Sequence, residues 1–214
     1  MKKLFSLLII ITALAVVSPQ IHAQESSFSP KLVLKTNPLS ALGGPFWLIV
    51  VPLTGEYKVL LEAKTLPRQS VTFGASYIGP SLLLNLDDIS ASGTEISGVN
   101  TAGYKVQAMY KFYLNRDSDD IEGFYLAPHG SFATASITSK DNPADILTGS
   151  KLNVNACIGY QMITSGGFAL DIYTGLGIRT LAWDLQGDSG SIFDIGGDRS
   201  GATVPFSISF GYAF

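Results

Sequence analysis

Thr203-Val204-Pro205-Phe206-Ser207-Ile208-Ser209-Phe210-Gly211-Tyr212-Ala213-Phe214 is the stretch that decides the fold. Val204, Phe206, Ile208, Phe210, Tyr212 and Phe214 fall on one face of an extended chain; Thr203, Pro205, Ser207, Ser209, Gly211 and Ala213 fall on the other. Side chains of a β-strand alternate between two faces, so this period of two predicts a strand that runs to Phe214. The first face is large and apolar, the second small. Such a strand suits hydrocarbon on one side and a narrow, crowded barrel interior on the other.

Working back from that strand, the same alternation recurs. Tyr104, Val106, Ala108, Tyr110, Phe112 and Leu114 alternate with Lys105, Gln107, Met109, Lys111 and Tyr113. Leu152, Val154, Ala156, Ile158 and Tyr160 make another row, and Phe168, Leu170, Ile172, Thr174, Leu176 and Ile178 a third. Weaker strand signals cover 31–42, 46–63, 69–79 and 123–138. Together these predict an all-β, antiparallel, up-and-down transmembrane barrel of about eight strands. Short connections at 65–68, 115–122 and 164–167 alternate with long ones at 80–103, 139–150 and 184–201, as expected when one end of a barrel carries turns and the other loops. The first loop-end connection, Gly43-Gly44-Pro45, reads as tight. It precedes Phe46-Trp47-Leu48-Ile49-Val50-Val51, which is apolar on both faces. No internal repeat is evident.

Lys2 and Lys3 precede an apolar stretch from Leu4 to Val17 and then Ser18-Pro19-Gln20-Ile21-His22-Ala23, the layout of a secretory signal peptide cleaved after Ala23. A stretch of fourteen residues is too short for a spanning helix, which needs ~20. The expected organisation is a signal peptide over 1–23, a short N-terminal segment over 24–30 and a barrel over 31–214. The mature chain then carries 12 basic and 17 acidic side chains, which leaves no basic footprint for nucleic acid. Only 14% of the residues are charged and the mean hydropathy is +0.29, apolar for a water-soluble domain. With Cys157 as the single cysteine, no internal disulfide can form.

Several charges fall on the faces assigned to the interior: Glu56, Lys58, Glu62, Lys105, Lys111, Asp171 and Arg179. Charges buried in a side-chain-filled barrel have to be paired, so these residues are expected to form a structural interior network; a selective pore is the alternative. His129 and Ser131 resemble the His-x-Ser element of outer-membrane lipid A deacylases. Those enzymes also carry a downstream Glu, and no Glu follows Glu122 here; Asp141 and Asp145 are the remaining acids in reach. A zinc site needs three or four ligands, and one histidine cannot define it. Asp184, Asp188, Asp194 and Asp198 lie among Gly187, Gly190, Gly196 and Gly197 without the spacing of a calcium loop, and they read as a solvated surface loop. Asp117, Asp119 and Asp120 read as a solvated turn. No cofactor is expected.

The ending Phe210-Gly211-Tyr212-Ala213-Phe214 resembles the C-terminal signature, carried here by Phe210, Tyr212 and Phe214, that barrel assembly machinery reads. Leu34-Lys35-Thr36-Asn37-Pro38-Leu39, Leu53-Thr54-Gly55-Glu56-Tyr57, Gly123-Phe124-Tyr125-Leu126-Ala127-Pro128 and Gly159-Tyr160-Gln161 together resemble a Bacteroidota-type family of small outer-membrane β-barrel proteins. The resemblance implies a barrel in the outer membrane of a Gram-negative bacterium, in contact with its lipid. It carries over no activity and no catalytic residue. The expected function is a non-enzymatic structural or surface-interaction role; a carrier or narrow channel for a small or apolar ligand comes second, and a lipid-modifying enzyme third.

Overall fold

A computed structural model describes residues 29–45, 47–48, 51–52, 54–81, 99–115, 118–139, 146–186 and 199–214. The strands are β1 (Leu32–Thr36), β2 (Trp47–Leu48), β3 (Val51–Pro52), β4 (Thr54–Leu66), β5 (Gln69–Pro80), β6 (Val99–Tyr113), β7 (Gly123–Ser139), β8 (Ile146–Ile163), β9 (Phe168–Gln186), β10 (Arg199–Thr203) and β11 (Phe206–Ala213), with one 3-10 turn at Pro38–Ala41. Strands β10 and β11 are two parts of one wall strand, since Thr203 pairs with Gly177 and Phe206 with Thr174 in one register against β9. The gap between them falls at Val204 and Pro205. Proline has no N–H to give the ladder, and the Pro205 carbonyl accepts instead from the Thr174 hydroxyl at 3.1 Å.

Sequential antiparallel pairing runs from β4 through β9 to β11, and β1 joins β11 to β4, so the sheet closes as an eight-stranded barrel. From Val33 the partners run through Glu62, Thr72, Met109, His129, Asn155, Gly177 and Thr203. Carried through the β11–β1 register, that path returns to the first strand at position 43, ten residues from its start. An even stagger keeps inward residues inward around the ring. With eight strands, such a stagger corresponds to a tilt of about 40° and an interior that side chains can fill.

The outward face is apolar. On β9 it runs from Phe168 to Ile178, with Leu176 72% and Ile178 68% exposed, before giving way to Thr180, Ala182 and Asp184. Ten residues of strand at ~3.4 Å each, foreshortened by a tilt of about 40°, make a band roughly 25 Å tall, the height of a hydrocarbon layer spanned by strands. Aromatic pairs ring its turn end: Tyr110 with Phe112, Phe124 with Tyr160, and Tyr212 with Phe214, centroids 5.0, 4.9 and 5.0 Å apart. Tyr57 with Tyr77 and Tyr104 with Phe132 sit toward the loop end.

The first connection departs from the sequence expectation. Instead of a wall strand over 31–42 and a tight turn at 43–45, the chain leaves the wall after Thr36 and rejoins it at Thr54. Pro38 removes a ladder donor, and the Asn37 side chain accepts from the Ser40 amide to start the 3-10 turn. Ser40 Oγ donates to the carbonyl of Glu56 and Asn37 Nδ2 donates to Ser207 Oγ, which holds this segment against the inner wall with Ser40 and Ala41 buried. The carbonyl of Pro45 accepts from Lys151 Nζ at 3.0 Å. Strand β8, which carries Lys151, stands four strands around the ring from β4, so the segment reaches across the lumen. Half of the apolar run 46–51 lies outside the described residues; the described backbone of Trp47, Leu48 and Val51 enters the two-residue ladder β2–β3.

Candidate functional site in the barrel interior

Alternation delivers one polar inward residue from nearly every strand to a common level near the turn end. Lys35 (β1), Glu62 (β4), Ser70 (β5), Lys111 and Tyr113 (β6), Tyr125 (β7), Gln161 (β8) and Asp171 (β9) meet there, all buried. Lys35 Nζ donates to Glu62 Oε2 at 2.5 Å, Gln161 Oε1 at 3.0 Å and Asp171 Oδ2 at 2.6 Å. Lys111 Nζ donates to the same three oxygens at 3.0, 2.9 and 2.7 Å. Each ammonium has three N–H groups, and each finds three acceptors. The opposite oxygens are also occupied: Glu62 Oε1 accepts from Ser70 Oγ at 2.5 Å and Tyr113 Oη at 2.6 Å, and Asp171 Oδ1 from Tyr125 Oη at 2.6 Å. Two cations and two carboxylates leave the cluster electrically neutral. Beneath it, fully buried Ile121 from the β6–β7 connection closes the turn end, its carbonyl accepting from Gln161 Nε2 at 2.8 Å. These buried side chains form a floor across the turn end.

Toward the loop end a second cluster is built on Glu56, which takes Lys58 at 3.2 Å, Lys105 at 3.1 Å and the Ser76 hydroxyl at 2.7 Å. Its net charge is positive. Between the two levels His129 is buried, with its Nδ1 2.9 Å from Asn155 Nδ2 and its ring centroid 6.1 Å from that of Tyr173. Ser131 accepts from Asn153 Nδ2 at 3.1 Å. Among the described residues no carboxylate hydrogen-bonds His129, and no group of three metal-ligating side chains occurs. Among the described residues the buried polar atoms lacking a hydrogen-bond partner include four here, Gln107 Oε1, His129 Nε2, Asn153 Oδ1 and Asn155 Oδ1, besides the Thr72 and Thr101 hydroxyls. Asp141, Asp145, Asp188, Asp194 and Asp198 lie outside the described residues.

The charges singled out in the sequence therefore divide between two clusters. Glu62, Lys111 and Asp171 belong to the floor; Glu56, Lys58 and Lys105 belong to the upper cluster. Arg179 joins neither, because it stands higher on β9 and is exposed, with no ion pair among the described residues. Lys35, Gln161, Tyr113 and Tyr125 complete the floor without belonging to the charge set that the sequence singles out. Lys35 carries a legible signal, because it follows outward Leu34 and alternation therefore turns its side chain inward. Asp120 also proves less solvated than its turn composition implies: it accepts from Ser29 Oγ at 2.5 Å and Ser118 Oγ at 2.8 Å and pairs with Lys64 at 3.4 Å, joining the N-terminal segment to two turns.

Phe210, Tyr212 and Phe214 point outward at the seam. The Phe214 amide donates to the Leu32 carbonyl at 2.8 Å, and its own carbonyl accepts from Lys31 at 2.9 Å. Comparisons with family models, curated proteins and solved structures give no match.

Proposed function

We propose that the chain is exported by its N-terminal signal peptide and that its barrel resides in the outer membrane of a Gram-negative bacterium as a non-enzymatic, non-conducting protein with a surface-interaction role. The observation that carries this reading is the neutral, fully bonded floor formed by Lys35, Glu62, Lys111, Gln161 and Asp171. An ion crossing that level would have to strip buried charges of their partners, which costs several kcal/mol per group. The apolar exterior band supports a lipid setting, and the lipid itself is then the principal partner of the wall. Phe210, Tyr212 and Phe214 support recognition by barrel assembly machinery, consistent with the resemblance to small Bacteroidota-type barrels.

The test is membrane fractionation combined with planar-bilayer recording of the purified protein. Recovery in the outer membrane, a folded band that shifts on boiling and no steady conductance are expected. Recovery as a soluble periplasmic protein overturns the location, and steady unitary conductance overturns the closed floor. A second reading, a carrier whose ligand rests above the floor, draws on the partnerless polar atoms of Gln107, His129, Asn153 and Asn155.

A further inference from the structure

Lys151, Arg179 and Arg199 form a diagonal row on the inward face at the loop end. Asn153 pairs with Arg179 and Lys151 with Leu181, so Lys151 and Arg179 are diagonal neighbours on one face. Gly201 pairs with Arg179 and Arg199 with Leu181, which puts Arg199 on the other diagonal of Arg179, on the same face. Diagonal neighbours lie within reach of long side chains, and like charges so placed repel. Among the described residues none of the three has an acidic partner: Lys151 donates to the Pro45 carbonyl, and Arg179 and Arg199 are exposed. Among the described residues Glu56 is an inward acid whose charge Lys151 feels, and it already holds Lys58 and Lys105. The row therefore adds positive charge above a cluster that is itself positive.

Directly below it lie groups of a different kind. Asn153, opposite Arg179, and Asn155, opposite Gly177, each keep a buried side-chain oxygen without a partner. Gly175 and Gly177 carry no side chain at these inward positions, and the Cys157 and Asn155 side chains lie close against them. Cations above and free acceptors below call for a ligand that offers an oxyanion at one end and hydroxyl donors at the other.

We propose that the loop end of the lumen is a binding site for a sugar acid, a phosphorylated or carboxylated saccharide, with its oxyanion held by Arg179, Arg199 and Lys151 and its hydroxyls donating to Asn153 and Asn155. Guanidinium groups suit this role because their planar fork matches the two oxygens of a phosphate or carboxylate. The proposal refines the surface-interaction reading and rests on it only for the side from which the ligand arrives. Binding to purified protein is independent of where the barrel resides.

The experiment is calorimetric titration of the mature protein, folded in zwitterionic micelles, with glucose 6-phosphate, inorganic phosphate and glucose at constant ionic strength. Emission of Trp183 in a Trp47→Phe background gives a second readout, since Trp183 lies on the same face four residues beyond Arg179. One-to-one binding of glucose 6-phosphate is expected, at least tenfold tighter than that of inorganic phosphate, with no saturable response to glucose. Arg179→Gln and Arg199→Gln should each weaken it at least tenfold while the band that shifts on boiling persists. Displacement of the sugar phosphate by lipopolysaccharide places the acid on the membrane glycolipid; absence of displacement places it on a free saccharide. No saturable binding, or binding unaffected by Arg179→Gln, overturns the proposal. So does binding that appears only after Asp188, Asp194 and Asp198 are changed to Asn, because the chain then supplies its own counter-charge.

Discussion

Lys35 on β1 and Lys111 on β6 present their ammonium groups to the same three oxygens, Glu62 Oε2, Gln161 Oε1 and Asp171 Oδ2. Two like charges are thus held against each other by acceptors they share, and neither lysine can be removed without leaving the carboxylates in charge excess. Lys111 also sits 4.4 Å from the centroid of the Tyr125 ring, a further attraction for the cation.

Lys111→Met should therefore destabilise the barrel by about 3 to 5 kcal/mol, the cost of breaking a buried pair from one side. The double variant Lys111→Met with Asp171→Leu restores neutrality around the remaining Lys35–Glu62 pair and should recover a large part of that loss. Unfolding in urea with lipid vesicles measures both. A stabilised single variant would place Lys111 on the lipid face and contradict the register.

Tyr125 reaches Asp171 by lying over Gly159, where a Cβ would collide with the tyrosine ring and hydroxyl. Gly159→Ala should cost roughly 1 to 3 kcal/mol, as overpacking does. Combined with Tyr125→Ala, the alanine at 159 should cost less, because the ring is gone and only the Ile172 carbonyl still crowds it. Equal costs in the two backgrounds would mean that the ring does not cover the glycine.

Cys157 is the protein's single thiol and is buried among inward side chains that include Tyr173 and Met109. A membrane-impermeant maleimide should leave it unlabelled in the folded barrel and label it fully after boiling in detergent. Mass spectrometry reads the difference. Rapid labelling before boiling would mean that the interior admits solvent to this level.

Asp120 supplies a pH dependence outside the apolar band of the wall. Partial burial pushes its carboxyl up, but hydrogen bonds from Ser29 and Ser118 and the Lys64 charge outweigh that and hold it below the usual carboxylate range. A group whose folded pKa is depressed stabilises above its unfolded value, ~3.9, and loses that contribution as the pH falls through the folded one. The difference in melting temperature between wild type and Asp120→Asn should therefore be largest above pH 5 and shrink on acidification. A constant difference would detach the effect from this carboxyl.

Alternation made the wall legible. Rows such as Phe168 to Ile178 and Val204 to Phe214 fixed the strands and their outward faces, because an apolar exterior beside a small or polar interior leaves little choice of face. Pairings within the lumen were less legible, since parity places Lys111 and Asp171 inside without saying that 60 residues of chain separate hydrogen-bonded partners. That depends on strand order and stagger, which are properties of the closed ring. The first connection is illegible for a local reason: the apolar run after Pro45 imitates a strand, while Asn37-Pro38 turns the backbone off the wall.

Truncation at the seam tests the ring itself. Removing Phe214 deletes three backbone hydrogen bonds, one from Lys31 and two with Leu32, and one outward aromatic at the turn end. Less assembled barrel in the membrane is expected, with export of the chain unchanged. Equal amounts of heat-shifting protein would contradict this.

The seam also sets a timetable. Strand β1 emerges from the ribosome before every other wall strand, yet one of its two edges can be satisfied only by β11, the wall strand that emerges after all the rest. Until then both ends of the growing sheet offer unpaired N–H and C=O groups, the template on which aggregation starts. Closure therefore cannot proceed by the steady addition of neighbours. It is one late, long-range event, and a chain stalled at any earlier point is an open ribbon that proteases can read as unfinished.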